Sequence, residues 1–175
     1  MRYRRANVPG ATYFFTVNLQ NRKSQLLTEH IDILRTAFRT VQQRYPFKII
    51  AMVVMPEHLH AIWELPQGDL DFSLRWSLIK AAFSKALPKQ ENISISRQQK
   101  RERGIWQRRF WEHLIRDDDD LEMHISYLHY NPVKHGYVDQ ASAWPHSSLH
   151  KFIAQGILDI NWGETARTIE LQKVE

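Results

Sequence analysis

Two apolar runs separated only by a short turn restrict the fold of this chain more than any other feature. KIIAMVVM, residues 48–55, is almost wholly apolar, as a strand in the centre of a sheet requires. Pro56 and Glu57 then turn the chain into HLHAIWEL, residues 58–65, a second strand that begins at His58. The two runs therefore predict neighbouring strands in a buried part of a sheet.

The other elements follow from residue periodicity and from the positions of prolines. In chain order we predict a strand at 12–19, a helix from Thr28 to Tyr45, a helix at 71–87, a mobile loop at 89–104, a strand at 105–116 and a helix at 117–131. Pro46 stops the first helix. Asn131 precedes Pro132, which disfavours continuation of the last one.

The order strand, helix, strand, strand, helix, strand, helix is that of a ferredoxin-like (split βαβ) antiparallel sheet with an added C-terminal helix, an α+β fold. The chain has 175 residues, 43% of them hydrophobic, which is enough to fill one sizeable core. We predict a main domain at 1–138 and a C-terminal tail at 139–175 that packs on it.

Cysteine is absent, so neither a disulfide nor a thiolate metal site can form, and any metal must bind nitrogen and oxygen ligands. The apolar stretch at 12–19 is too short for a signal sequence or a membrane span. We therefore expect a cytoplasmic protein with no membrane partner.

Positive charge is concentrated in a few places. The 24 Lys and Arg exceed the 19 Asp and Glu, giving a formal net charge of +5. The basic clusters are Arg2, Arg4 and Arg5; Lys100, Arg101 and Arg103; and Arg108 and Arg109. Such clusters favour a polyanionic partner, although a solvated basic face is the alternative.

The segment IWQRRFWEH places aromatic residues among two of these arginines. Trp106, Phe110 and Trp111 interleave with Arg108 and Arg109, as expected where nucleic-acid bases stack and phosphates pair with guanidinium groups. An amphipathic strand that buries its aromatic residues is the alternative.

The second apolar run carries two histidines on one face. Side chains alternate along a strand, so His58 and His60 point the same way. Two adjacent imidazoles can hold a divalent ion together with a carboxamide or a carboxylate. A pair of half-buried structural histidines is the alternative.

The helix at 117–131 presents a second pattern. Leu121, Ile125 and Leu128 form its predicted buried stripe, while Tyr127 and Asn131 are i,i+4 neighbours on one flank. A phenol beside an amide oxygen that can bind a metal suits metal-assisted phosphotyrosine chemistry. The alternative is a half-buried tyrosine followed by an asparagine cap.

In order along the chain, GATYFFTVNL, MPEHLHAIWELP, DFSLRWSLIK, IWQRRFWEH and YLHYNPVKHGYV resemble signature stretches of the REP-associated tyrosine transposases. These belong to the HUH single-strand endonucleases, named for the motif seen here as His58-Leu59-His60. The resemblance implies an HUH-type ferredoxin-like fold with Tyr127 as the nucleophile and Asn131 as the third metal ligand. Because related insertion-sequence transposases more often carry Gln there, Glu57 and His124 are kept as reserve ligands.

The same resemblance implies an enzyme that nicks and rejoins single-stranded DNA at repetitive palindromic (REP) hairpins, using Mg²⁺ or Mn²⁺ and a 5′-phosphotyrosine intermediate. It implies a monomer, with a dimer as the alternative. Charge and aromatic content point to these DNA-binding residues: Arg4, Arg5, Trp106, Arg108, Arg109, Trp111, Lys134 and His135. The rival hypotheses are a non-catalytic nucleic-acid-binding module and a phosphodiesterase that uses water.

Overall fold

The computed structural model describes residues 8–89, 93–100 and 102–163. The strands are Thr12–Asn18 (β1), Lys48–Val54 (β2), His58–Glu64 (β3) and Trp111–Leu114 (β4). The helices are Leu26–Glu29 (α1), Ile31–Arg44 (α2), Phe72–Ala86 (α3), Ile95–Gln99 (α4), Asp118–Lys134 (α5) and Leu149–Ala154 (α6), with a short 3₁₀ helix at Ala141–Ala143. The predicted α+β class is confirmed.

The four strands form one sheet in the order β2-β3-β1-β4, with every neighbouring pair antiparallel. The strand at 48–55 was expected at the centre, but β2 lies at an edge. A later segment, residues 146–148, partly covers its outer side. The amide of Ser148 donates to the carbonyl of Met52 at 2.8 Å, and the amide of Val54 donates to the carbonyl of His146 at 2.9 Å. This cover explains an apolar strand at an edge.

Helices cover both faces of the sheet. On one face α2 and α3 pack over a large aromatic core, in which the rings of Trp63 and Trp76 stack at 4.2 Å. On the other face α5 crosses β2 and β3, where Phe14 and Ile62 pack near Leu128. Because β3 alternates between the faces, its two histidines point toward α5.

Several boundaries differ from the sequence predictions. The strand predicted at 105–116 is only the four-residue β4, and Trp106 forms an isolated bridge with Leu19 instead. The helix expected from Thr28 is two helices, α1 and α2, with His30 between them, and the predicted loop at 89–104 contains the short helix α4. The helix α5 continues through Pro132 to Lys134. A proline in this last turn removes only one backbone hydrogen bond, and the amide of His135 still donates to the carbonyl of Asn131 at 3.0 Å.

After α5 the described chain returns to the sheet. The 3₁₀ helix lies against α5, and Val53 forms an isolated antiparallel bridge with Ser147. The division into a domain at 1–138 and a tail at 139–175 stays a prediction. In the described ranges, no helix combines the length and apolar character needed to span a bilayer.

Candidate active site

The site is built on the strand β3. His58 and His60 are each only 2% exposed, and the centroids of their rings lie 4.9 Å apart. They share the face covered by α5, as the strand alternation predicts. Burial of two adjacent imidazoles next to a helix creates a compact set of nitrogen donors.

Each imidazole is held through its Nδ1 atom. The Nδ1 atom of His58 lies 2.8 Å from the carboxylate of Glu57, and that of His60 lies 2.9 Å from the hydroxyl of Thr16 on β1. A carboxylate can only accept, so Nδ1 of His58 donates to Glu57, and Nε2 is the ring nitrogen that faces α5. Metal-binding histidines in proteins are oriented in this way.

The Nε2 atoms face α5. The Oδ1 atom of Asn131 lies 3.3 Å from Nε2 of His58, and Asn131 is fully buried. The Nε2 atom of His60 is also buried and has no hydrogen-bond partner among the described residues. A buried ring nitrogen without a hydrogen-bond partner, next to Nε2 of His58 and Oδ1 of Asn131, fits a site for a divalent cation.

The environment favours the neutral form of His60. Burial lowers its pKa well below the ordinary value, and the positive charges of His58, His135 and Lys134 lower it further, with partial compensation from Asn131. A neutral imidazole is the form that binds a metal. Burial opposes ionisation of Glu57, but the hydrogen bond and charge of His58, with Arg22, hold the pKa of Glu57 below its usual value.

Tyr127 lies beside this donor set, one helical turn before Asn131. Its ring centroid is 5.4 Å from that of His60, and the ammonium of Lys134 lies 4.9 Å from the centre of the phenol ring. Tyr127 is 3% exposed, whereas Tyr130 is partly exposed and lies against Gly163. The structure therefore brings Tyr127, and not Tyr130, to the histidines.

The buried face of α5 is more polar than its sequence suggested. Leu128 is fully buried, but Leu121 and Ile125 are only partly so. His129 is fully buried and contacts Ser148. The other buried polar or phenolic residues are Asp120, His124, Tyr127 and Asn131. Their spacing of four, three and four residues forms one stripe along the helix.

The first half of this stripe forms a second polar cluster with β4. Potential ligand atoms of His113, Asp120 and His124 lie within 4.8 Å of one another, close enough to share a metal ion. The carboxylate of Asp120, however, already accepts from Nε2 of His113 at 2.9 Å and from Nε of Arg116 at 3.1 Å. These bonds occupy the carboxylate, and the positive charge of the guanidinium would repel a metal ion. We therefore assign this cluster as a structural hydrogen-bond network and not as a metal site. His124, a reserve ligand, belongs to this cluster and not to the paired histidines.

The predicted DNA-binding residues separate into distinct groups. Trp106 is 7% exposed and packs against Phe83 in the core, although it lies outside β4. Arg108 is exposed but bonds to Glu102 at 2.9 Å. Arg109 and Trp111 are exposed.

The remaining predicted contacts lie near the site or beyond the described ranges. The ring of His135 is exposed and lies 5.1 Å from that of His58. Lys134 is partly exposed. Arg4 and Arg5 lie outside the described residues.

Two side chains at the site were not identified from the sequence. Arg22 lies 3.6 Å from the carboxylate of Glu57 and also bonds to Asn18, the residue paired with His58 across the sheet. The hydroxyl of Tyr137 lies 3.5 Å from the other carboxylate oxygen of Glu57. Arg22 lies in none of the signature stretches, and Tyr137 lies in YLHYNPVKHGYV without a predicted role, because both reach the site through loops.

The fold and this site match one family of known proteins. Residues 7–131 match the family described as "Transposase IS200 like". The chain therefore belongs to the IS200-like transposases, a family of DNA-transposing enzymes.

The curated relatives and a solved structure place it more narrowly. A REP-associated tyrosine transposase of Escherichia coli K12 is 48% identical over 160 residues, which cover 91% of this chain and 89% of the relative. A Haemophilus influenzae protein is 44% identical over 162 residues, 92% of each chain. The solved structure of a REP-associated tyrosine transposase bound to a REP hairpin is 46% identical, with a TM-score of 0.81 over 94% of this chain and 92% of that one.

Proposed function

We propose that this transposase cuts and rejoins single-stranded DNA at REP-type hairpins through a covalent bond between Tyr127 and a 5′-phosphate. The observation that carries the proposal is the position of Tyr127 and Asn131 against His58 and His60. These residues supply a phenol beside a buried set of nitrogen and oxygen donors. The identity to relatives named for the same chemistry supports the assignment.

His58, His60 and Asn131 are the residues that would hold a divalent cation, Mg²⁺ or Mn²⁺. Their donors are two imidazole nitrogens and one amide oxygen, and the first-row ion Mn²⁺ suits such a mixed set. When bound, the ion supplies charge that polarises a phosphate oxygen and fixes its position. Glu57 and Thr16 orient the two imidazoles from behind.

Tyr127 performs the covalent step. Its oxygen bonds to phosphorus as the bond from phosphorus to the 3′-oxygen breaks, and the phenol loses a proton while the released 3′-oxygen gains one. The phosphodiester is conserved in the link, so a 3′-hydroxyl of another strand can reverse the step without ATP. Because the tyrosine is 3% exposed, the side chains over it must move when DNA binds.

The substrate assignment comes from the relative that was solved with a REP hairpin, and the charged and aromatic surface of this chain supports it. Arg109, Trp111 and His135 are exposed to DNA, whereas the ammonium of Lys134 is buried over the ring of Tyr127 and would need to move to reach a phosphate. Arg108 contributes less because of its bond to Glu102, and Trp106 is buried. Arg4 and Arg5 stay in the proposal on sequence alone.

The test is a denaturing gel of the protein after incubation with a labelled hairpin oligonucleotide and Mg²⁺ or Mn²⁺. We expect a labelled protein band that disappears with EDTA and in His60→Ala. A water-dependent phosphodiesterase would release cut DNA without labelling the protein, and a binding module would do neither. A monomeric, cytoplasmic protein stays the expectation from sequence.

A further inference from the structure

Three rings on the α5 face of the sheet form a nearly parallel stack beside the paired histidines. The rings of Trp111 and His113, both on β4, lie 5.9 Å apart at 14°. Those of His113 and His124 lie 4.5 Å apart at 17°. His124 closes the buried end, and Trp111, 46% exposed, forms the outer end.

The buried end of the stack is fixed by Asp120. Its carboxylate accepts from Nε2 of His113 at 2.9 Å, and its carbonyl lies 2.8 Å from Nδ1 of His124. Asp120 itself is 3% exposed and also receives the backbone amide of Arg116 at 3.0 Å. Both imidazoles therefore have little freedom to rotate, and they support the indole from below.

The outer end of the stack lies close to the candidate active site. Thr16 pairs with Trp111 on one side of β1 and with His60 on the other, and its hydroxyl contacts Nδ1 of His60 at 2.9 Å. Two strand spacings separate Trp111 from His60, about 10 Å. Nucleotides that flank a phosphate held at His60 can span this distance.

We propose that Trp111 is the stacking platform for one unpaired DNA base next to the scissile phosphate. His113 and His124 are positioning residues that hold the indole. This inference rests on the proposed function. The ligand is a nucleobase because a π-face accepts any base without hydrogen-bond readout, and because the exposed cation of Arg109 lies two residues away to pair with a phosphate.

The experiment measures the affinity of the full chain for hairpin oligonucleotides in which a single abasic site is moved through the unpaired positions around the cut. Wild type is compared with Trp111→Ala, Trp111→Phe and the control Met123→Ala, an exposed apolar residue on α5. We expect Trp111→Ala to weaken binding of the intact oligonucleotide about 10-fold. It should not weaken binding of the oligonucleotide that is abasic at one particular position.

Trp111→Phe should recover most of the affinity, and Met123→Ala should equal wild type. His113→Ala should show the same dependence on that one position, whereas a merely structural role would weaken every oligonucleotide equally. A fluorescent 2-aminopurine at that position should be quenched by wild type and not by Trp111→Ala.

Equal losses on all abasic oligonucleotides would overturn the proposal. So would a change of oligomeric state in Trp111→Ala without a change in DNA affinity, which would assign the indole to a protein interface.

The outcome can be separated from that of the proposed function. If wild type forms no covalent adduct with DNA but the position-dependent loss is seen, the base platform stands and the phosphotyrosine chemistry fails. If the adduct forms and no position depends on Trp111, the chemistry stands and the platform fails.

Discussion

The amide oxygen of Asn131 lies 3.3 Å from Nε2 of His58, and this contact joins the helix α5 to the strand β3. The two residues are 73 positions apart in the chain. Through this contact the helix that carries Tyr127 is aligned with the imidazole donors. The donor set and the proposed nucleophile are thus fixed relative to each other by one helix.

Asn131→Asp should retain metal-dependent nicking, because a carboxylate still offers an oxygen toward the two imidazoles. Asn131→Leu should abolish it while leaving hairpin binding largely intact. Nicking is measured over a titration of Mn²⁺ with each variant. If the Asn131 side chain serves only as an N–H donor to His58, the aspartate variant will be as inactive as the leucine variant.

Tyr127→Phe should bind hairpin DNA normally but form no covalent adduct, because only the attacking oxygen is removed and the ring packing is kept. Tyr130→Phe should behave as wild type, since this residue lies away from the histidines against Gly163. The measurement is the labelled band on a denaturing gel. An adduct with Tyr127→Phe would refute the assignment, and loss in Tyr130→Phe alone would transfer the role.

Glu57→Gln should lower the affinity for Mn²⁺ by about 10-fold, because the residue that orients the ring of His58 loses its charge. The matched control is Glu64→Gln at the other end of β3, where the Glu64 carboxylate accepts from exposed Lys48 at 3.0 Å. Metal binding is measured by calorimetry without DNA. Equal affinities in the two variants would remove Glu57 from the site.

Asp120→Asn should destabilise the fold in a pH-dependent way. Burial opposes ionisation of Asp120, but hydrogen bonds from His113 and Arg116 outweigh it and lower the pKa from 3.8 to about 2. The pKa is depressed in the folded state, so the stabilisation, about 2 kcal/mol, is complete above about pH 5 and is lost progressively as the pH falls through about 2. Urea unfolding at several pH values should show a gap between wild type and variant at neutral pH that closes in acid. Asp118→Asn, an exposed change in the same helix, should show no such gap.

Arg109→Ala should weaken hairpin binding and reduce the slope of log affinity against log salt by about 1, if its guanidinium meets one phosphate. Arg108→Ala should change the slope less, because that guanidinium already bonds to Glu102. Binding is measured between low and moderate salt. The opposite ranking would show that the ion pair opens to release Arg108 to DNA.

The candidate site could be predicted where its geometry is local. The alternation of a strand is enough to place His58 and His60 on one face, and helical spacing is enough to place Asn131 one turn beyond Tyr127. These relationships hold whatever the rest of the chain does. The partner of the Nδ1 atom of His60 cannot be predicted from the sequence, because Thr16 lies 44 residues from His60 in the chain.

The sequence by itself determined the strand and helix periods, the order of the elements and therefore the α+β class. Only the tertiary structure decided which side of α5 is buried. The apolar residues Leu121, Ile125 and Leu128 predict the buried side of the helix. Asp120 and Asn131 are nevertheless buried against the sheet, because His113 and His58 lie opposite them as hydrogen-bonding partners. Burial of a polar group costs free energy unless it finds a partner, and partners from distant strands are visible only in the fold. The fold also decides that Trp106 is buried and Trp111 is exposed, because Trp106 packs against Phe83 in the core whereas Trp111 lies on the edge strand β4.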